Sequence, residues 1–354
     1  MMSHEVSSPM FFKSAKRHLH RLCAPTPPSQ QCGFTLIELL VSIIVGAIIV
    51  SSMLFLVLEL LKVSKREEVL TITQQDMRRA LAYMASDVGE ADYVYADPAQ
   101  VTRIATEVEG DPRWPAGATP VLAFWRLDPI DMGDLPANPA PYNENDPDGC
   151  IAEFDGDRES ECSTLKIRQS AYSLVIYLIA ENDETGIWEG PARIIRYELP
   201  KYSDVEELLQ TVGYDDPSID NPNADDGSFA DWVVINGPPE GNAQVLTDHV
   251  DLTDAAADWV DCPDVGAYLR VPEIDNTQDP LNSFYVCARI GDDIDQIDGQ
   301  DVRVGSLSQS LIINLTGNIE QSPATAASSE SSKLPALQSE VLVRGVIEKR
   351  VTGD

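Results

Sequence analysis

Residues 34–58 read FTLIELLVSIIVGAIIVSSMLFLVL, a run of 25 residues in which Glu38 is the only charge. No proline interrupts it, so the run predicts a helix that is apolar all round. At about 1.5 Å per residue it covers roughly 37 Å, enough to cross a hydrocarbon core. The pattern then narrows to a stripe: Val63, Leu70, Met77, Leu81, Met84, Val88 and Ala91 follow at helical steps. Lys65, Arg66, Glu67, Arg78, Arg79, Asp87 and Glu90 fall elsewhere around the cylinder. No proline occurs between residues 34 and 97, and Asp97-Pro98 supplies a stop. The expectation is one helix of some 60 residues, about 90 Å long. Residues 34–61 would form its membrane part and residues 62–97 a continuation outside the membrane.

Beyond residue 98 the period changes to short apolar runs between long acidic connections. Candidate strands are 121–127, 172–180, 193–199, 232–235, 284–290, 310–319 and 340–347. The stretch YSLVIYLIA at 172–180 is apolar throughout and rich in β-branched and aromatic residues, which predicts a central strand. These features predict an α+β fold: residues 98–354 form a head whose single antiparallel sheet packs on the second half of the long helix. Segments 128–149, 200–230, 272–282 and 291–301 read as surface excursions. The Ser/Ala-rich segment 321–333 reads as a flexible loop.

Charge changes the picture in two ways. Fifty-eight acidic residues against 25 basic ones give a net charge of −33. That excludes a nucleic-acid surface, which needs clustered Lys and Arg. The cations are unevenly placed: Lys13, Lys16, Arg17 and Arg21 precede the apolar run, with Glu5 as the only acid before Gly33. Without residues 1–33 the net charge becomes −36. A basic segment ahead of an apolar helix is the mark of a part held on the cytoplasmic side.

Candidate chemistry is sparse. Of four histidines only His249 lies beyond Gly33, which removes histidine-based triads and His-rich zinc sites from the head and leaves His249 as an ordinary loop or strand residue. Cys150, Cys162, Cys262 and Cys287 allow three pairings. Local pairing, Cys150 with Cys162 and Cys262 with Cys287, closes two loops bounded by strands; a four-cysteine zinc site is the alternative, without any CxxC spacing to support it. Glu144, Asp146, Asp148 and Gly149, with Asp155 at loop position 12, approach the calcium-loop pattern of the EF-hand. Glu at position 1, Asp at position 12 and Pro147 inside the loop depart from it, so a solvated acidic loop is preferred to a calcium site and no cofactor is expected. Trp114, Trp125, Trp188, Trp232 and Trp259 could stack on sugars, but scattered tryptophans are the usual stock of cores. No carboxylate pair stands out as glycosidase machinery.

Glu38 is what a plain membrane anchor leaves unexplained, because a carboxylate near the end of a spanning helix needs a partner. It lies one helical turn after Phe34. If the chain were cut after Gly33, the α-amine of Phe34 on a neighbouring subunit could pair with it.

The run Gly33-Phe34-Thr35-Leu36-Ile37-Glu38-Leu39-Leu40-Val41-Ser42 resembles the signal of type IV pilins and type II secretion pseudopilins. The resemblance implies that a prepilin peptidase cuts after Gly33 and methylates Phe34, and that Glu38 is the assembly carboxylate. It implies a leader of residues 1–33, longer than most of the family has. Implied partners are that peptidase, other pilins through the N-terminal helix, and an inner-membrane assembly platform. The implied location is a single-pass inner-membrane protein with a periplasmic head, later a pilus or pseudopilus, and no enzymatic activity.

Further pieces are similar to PilW/GspJ-like minor pilins, and among these to pseudopilins of cyanobacterial hormogonium polysaccharide secretion. They are Leu81-Ala82-Tyr83-Met84-Ala85-Ser86-Asp87-Val88, Pro120-Val121-Leu122-Ala123-Phe124-Trp125, Ala192-Arg193-Ile194-Ile195-Arg196-Tyr197 and Ser339-Glu340-Val341-Leu342-Val343-Arg344-Gly345. This implies a minor subunit serving polysaccharide secretion and gliding. A tip adhesin that binds a surface, a glycan or calcium is the alternative.

Overall fold

The computed structural model describes residues 33–182, 187–219, 229–252, 262–263, 268–273, 283–289, 294–297, 300–303, 310–319 and 333–343. The chain divides after Glu59 into two units; the strands and the buried core belong to the second, from Leu60 onward.

Helix α1 covers Leu36–Gly89. It ends earlier than the sequence reading expects. Gly89 is a poor helix former, and the next residues, Ala91–Tyr95 (ADYVY), enter strand β1. Asp97-Pro98 starts a helix instead of stopping one. Asp97 caps α2 (Pro98–Val108), its side chain accepting from the Ala99 amide at 2.8 Å, while proline in the first turn has no N–H to lose.

Two main antiparallel sheets form where a single one is expected. The first has five strands in the order β1-β2-β3-β4-β7. Here β2 is Thr119–Pro129, β3 Ser170–Glu181, β4 Ala192–Pro200 and β7 Asn242–Val250. Short strands β5 (Tyr202–Asp204) and β6 (Leu209–Gln210) pair with each other inside the segment read as an acidic excursion. The second sheet has the order β13-β12-β9-β8, from β8 (Tyr268–Val271), β9 (Phe284–Arg289), β12 (Ser310–Leu315) and β13 (Leu337–Leu342). Strands β10 (Ile294–Ile297) and β11 (Gln300–Arg303) pair within another expected loop. Segment 232–235 is not a strand: it follows a 3₁₀ turn at Phe229–Asp231 and makes one bridge, Ile235 to Gly213. Trp232 instead turns inward, its indole N–H donating to the Asp215 carbonyl at 2.9 Å.

Strand β3 is buried along almost its whole length because both faces of its sheet are covered. Val175, Tyr177 and Ile179 join Met77, Leu81, Met84 and Val88 of α1 and the inner face of the second sheet in one core. Leu174, Ile176, Leu178 and Ala180 join Val101, Ile104 and Val108 of α2 in another. That double covering is the physical reason for its unbroken apolar sequence. Gly317 packs directly against α1: a Cβ there would lie 2.1 Å from the Met77 sulfur.

Asp87 departs most from expectation. It is not on the open side of the cylinder but 4% exposed, within the buried face of α1. Tyr177 on β3 donates to its Oδ2 at 2.6 Å, and Arg196 Nε on β4 donates to the same oxygen at 2.9 Å. Arg126 on β2 donates to Oδ1. Asp128 accepts from Arg126 at 2.5 Å, and Glu198 accepts from Arg196 at 2.7 Å and from Arg126 at 3.5 Å, so Arg196 bridges two carboxylates and Arg126 three. Burial works against both arginine charges. The bonded carboxylates outweigh it and hold both guanidinium pKa values above normal. Burial and then the Asp87 charge push the Tyr177 hydroxyl up.

Removing the carboxylate leaves two guanidiniums short of charge in a dry site. Asp87→Ala should therefore destabilise the head by about 3–5 kcal/mol, read as a lower midpoint in chemical denaturation. A second expectation concerns alkali. Burial raises the pKa of Tyr95, Tyr172, Tyr177, Tyr197, Tyr202 and Tyr214. A raised folded pKa means stability is intact below the unfolded value of about 10 and lost as pH rises beyond it. The tyrosinate absorbance of these six side chains should accordingly appear together with loss of circular dichroism above pH ~10, not as six independent titrations.

Candidate functional site

The first half of α1 is built like no other part of the described residues. Thr35 starts the helix: its carbonyl accepts from the Glu38 and Leu39 amides at 3.0 and 3.2 Å, and its hydroxyl lies 3.4 Å from the Glu38 amide. Thr35-Leu36-Ile37-Glu38 is the Thr-x-x-Glu arrangement of a capping box, and the helix dipole favours an acid in this turn. Local physics thus accounts for an acid at Glu38 in the folded helix, a signal the sequence reading missed. It does not account for everything around it. A Cβ on Gly33 would meet nothing within 4 Å, so no packing contact demands glycine there.

From Phe34 to Leu61 every large apolar side chain is at least 48% exposed. Phe34, Leu36 and Ile37 are 79%, 85% and 70% exposed. The first buried residue among those described is Thr73. Each such side chain gains about 1.5–3 kcal/mol on leaving water, so this face sums to a few tens of kcal/mol awaiting an apolar environment. Among the described residues, α1 is the one helix long and apolar enough to cross a membrane.

A family model, the prokaryotic N-terminal methylation motif, matches residues 28–54. The motif supports a type IV pilin- or pseudopilin-like protein. It covers the residues just ahead of α1 and most of the helix's apolar half, and nothing beyond. The motif implies processing by a prepilin peptidase and assembly with other pilins, points to a structural subunit, and together with the single apolar helix fits a membrane-anchored chain. The long apolar helix followed by antiparallel sheet fits the pilin-like α+β fold. No curated protein and no solved structure matches the chain.

The head candidates are dispersed. Cys150 bonds Cys162, and Cys262 bonds Cys287. The first bridge joins helices, not strands: Cys150 opens α3 (Cys150–Glu153), and Cys162 lies on α4 (Asp157–Arg168). It sits in a small core with Leu135, Phe154 and Leu165 between β2 and β3. Cys287 lies on β9.

The acidic cluster at 144–155 is only partly the solvated loop expected. Asp146 is buried, and its two oxygens accept from the Ile151 and Ala152 amides at 3.1 Å each. Asp148 accepts from the Cys150 amide at 3.2 Å. The Ser163 hydroxyl is the main influence holding its pKa low; burial opposes that, and the Cys150 amide adds to it. Both carboxylates are thus spent on backbone donors around α3, while Glu144 and Asp155 are exposed. Among the described residues no group of three or more His, Cys, Asp or Glu is arranged to hold a metal ion.

His249 is a strand residue on β7, 3.5 Å from Glu189. Trp125 and Trp232 are core residues and Trp114 is partly buried, whereas Trp188 is 36% exposed. Trp259 lies outside the described residues. Segment 200–219 is tied down by Lys201, which pairs with Glu161 at 2.5 Å and Asp216 at 2.8 Å.

Proposed function

We propose that the chain is a minor pilin or pseudopilin whose chemistry is assembly. The observation that carries this is the exposed apolar surface of residues 34–61, with one acid in its first turn, most of it lying under the methylation motif. Cleavage between Gly33 and Phe34 frees an α-amine, and methylation makes that terminus less polar. Glu38 of one subunit pairs with the Phe34 amine of its neighbour while both are sheltered from water, where such a pair is strongest. The apolar helix passes from lipid to an equivalent environment among other such helices, so extraction from the membrane carries little hydrophobic cost. The head stays outside the packed helices, and its large negative charge keeps heads from adhering to one another. The short likenesses in the head favour the PilW/GspJ-like subunits, and among them polysaccharide secretion and gliding of the hormogonium kind.

A second reading, a tip subunit that touches a glycan, draws on one feature. Tyr83 and Trp188, both partly exposed, line a cleft of about 460 Å³ with Asp76, Arg79 and Asp248. Aromatic faces beside carboxylates suit stacking on sugar rings.

The two readings separate by mutation. Glu38→Ala should abolish incorporation into fibres, while membrane insertion and the melting of the head stay unchanged; normal incorporation would count against the assembly role. Trp188→Ala should leave incorporation intact and, on the second reading only, reduce retention of cells or head on glycan-coated surfaces. Unchanged retention removes that reading.

A further inference from the structure

Asp251, Asn318 and Lys333 meet at the junction of the two sheets. Asp251 and Asn318 are 2% and 1% exposed. One carboxylate serves both neighbours: Lys333 Nζ is 3.1 Å from Asp251 Oδ2, and Asn318 Nδ2 donates to Asp251 Oδ1 at 2.8 Å. Asn318 and Lys333 are also directly opposite each other in an antiparallel bridge. Residues so paired have Cβ atoms about 4.5–5.5 Å apart, on the same side of the chain.

Three backbone hydrogen bonds hold the surrounding chain. The Asn318 amide donates to the His249 carbonyl at 2.8 Å, Asp251 to Thr316 at 3.0 Å and Leu334 to Gly317 at 2.8 Å. Gly190 abuts this wall at φ +77°, where a Cβ would stand 3.3 Å from the Asn318 carbonyl oxygen.

We propose that Lys333 and Asn318 become joined by an intramolecular amide bond, with Asp251 as the proton carrier. The Lys333 ammonium gives a proton to Asp251 through Oδ2, which leaves a neutral amine beside a primary amide. Nζ attacks Cγ of Asn318, forming the new C–N bond. The Cγ–Nδ2 bond then breaks, with Asp251 delivering its proton to Nδ2 through Oδ1. The second proton shed by Nζ leaves with the departing nitrogen, so one ammonium ion is released and Asp251 is again a carboxylate. No oxidant or cofactor is required. Lys333 is partly exposed, but the acid and the amide are buried, and holding amine, amide and base together in this preordered arrangement replaces the encounter that makes such a reaction slow in solution. The bond would close the Ser/Ala-rich segment between the two residues at its base and brace β12 against β13, a use suited to a subunit pulled along a fibre.

The test is mass spectrometry of the full mature chain after reduction and alkylation. The expected results are an intact mass short of the sequence by one ammonia and a branched tryptic peptide linking Asn318 to Lys333. Cleavage after Lys333 should be lost completely. Lys333→Arg, which keeps the charge beside Asp251, should recover the ammonia and give linear peptides. A full wild-type mass with ordinary cleavage after Lys333 would show a plain ion pair and overturn the proposal. Loss of ammonia persisting in Lys333→Arg would overturn it equally, by assigning the loss to another site.

Discussion

A carboxylate taken out of water costs several kcal/mol unless its charge is matched and its lone pairs are filled. Asp87 meets that condition with donors from three successive strands: Arg126 on β2, Tyr177 on β3 and Arg196 on β4. Methyl groups of α1 could pack on the sheet at several rotations of the helix. A carboxylate that must reach two guanidiniums and a phenol accepts only one. The ion cluster thus sets which residues of α1 face inward, and the core of Met77, Leu81, Met84 and Val88 follows from it. The second sheet then closes over the same core, with Gly317 admitting the helix at Met77.

The same helix meets two opposite demands. Beyond Thr73 its burial is that of an ordinary amphipathic element of a folded head. From Phe34 to Leu58 it carries apolar groups on every side and a single acid, and none of its large apolar side chains is buried among the described residues. A helix of this second kind is stable only in lipid or among other apolar helices, which is what a pilin-type subunit exchanges between. Disulfides, the Lys201 ion pairs and the capped loop at Asp146 keep the acidic head in one shape despite its charge.

Much of this was legible in the residues. Gly33 to Leu61 announces itself by composition alone, and β2, β3, β4, β9 and β12 by short β-branched runs. What failed did so for tertiary reasons. Asp87 lies three residues after Met84 and next to Val88, on the buried stripe, but a charge there was taken for a surface residue because its partners are 39 and 109 positions away. Strand β1 was read as more helix, since only its pairing with β2 decides its state. Strand β7, NAQVLTDHV, is a sheet edge and carries too few apolar residues to stand out. The acid at Glu38 was visible, but the Thr35 cap beside it was overlooked, although Thr-x-x-Glu is itself a local signal.

The central claim is that the chain is cut after Gly33 to become an assembling subunit. Mass spectrometry of the N-terminal peptide of the membrane-purified protein tests it most directly. The account predicts a chain that begins with an N-methylated Phe34. A chain that still carries Met1 or Met2 through Gly33, or one cut beyond the apolar helix, would contradict it.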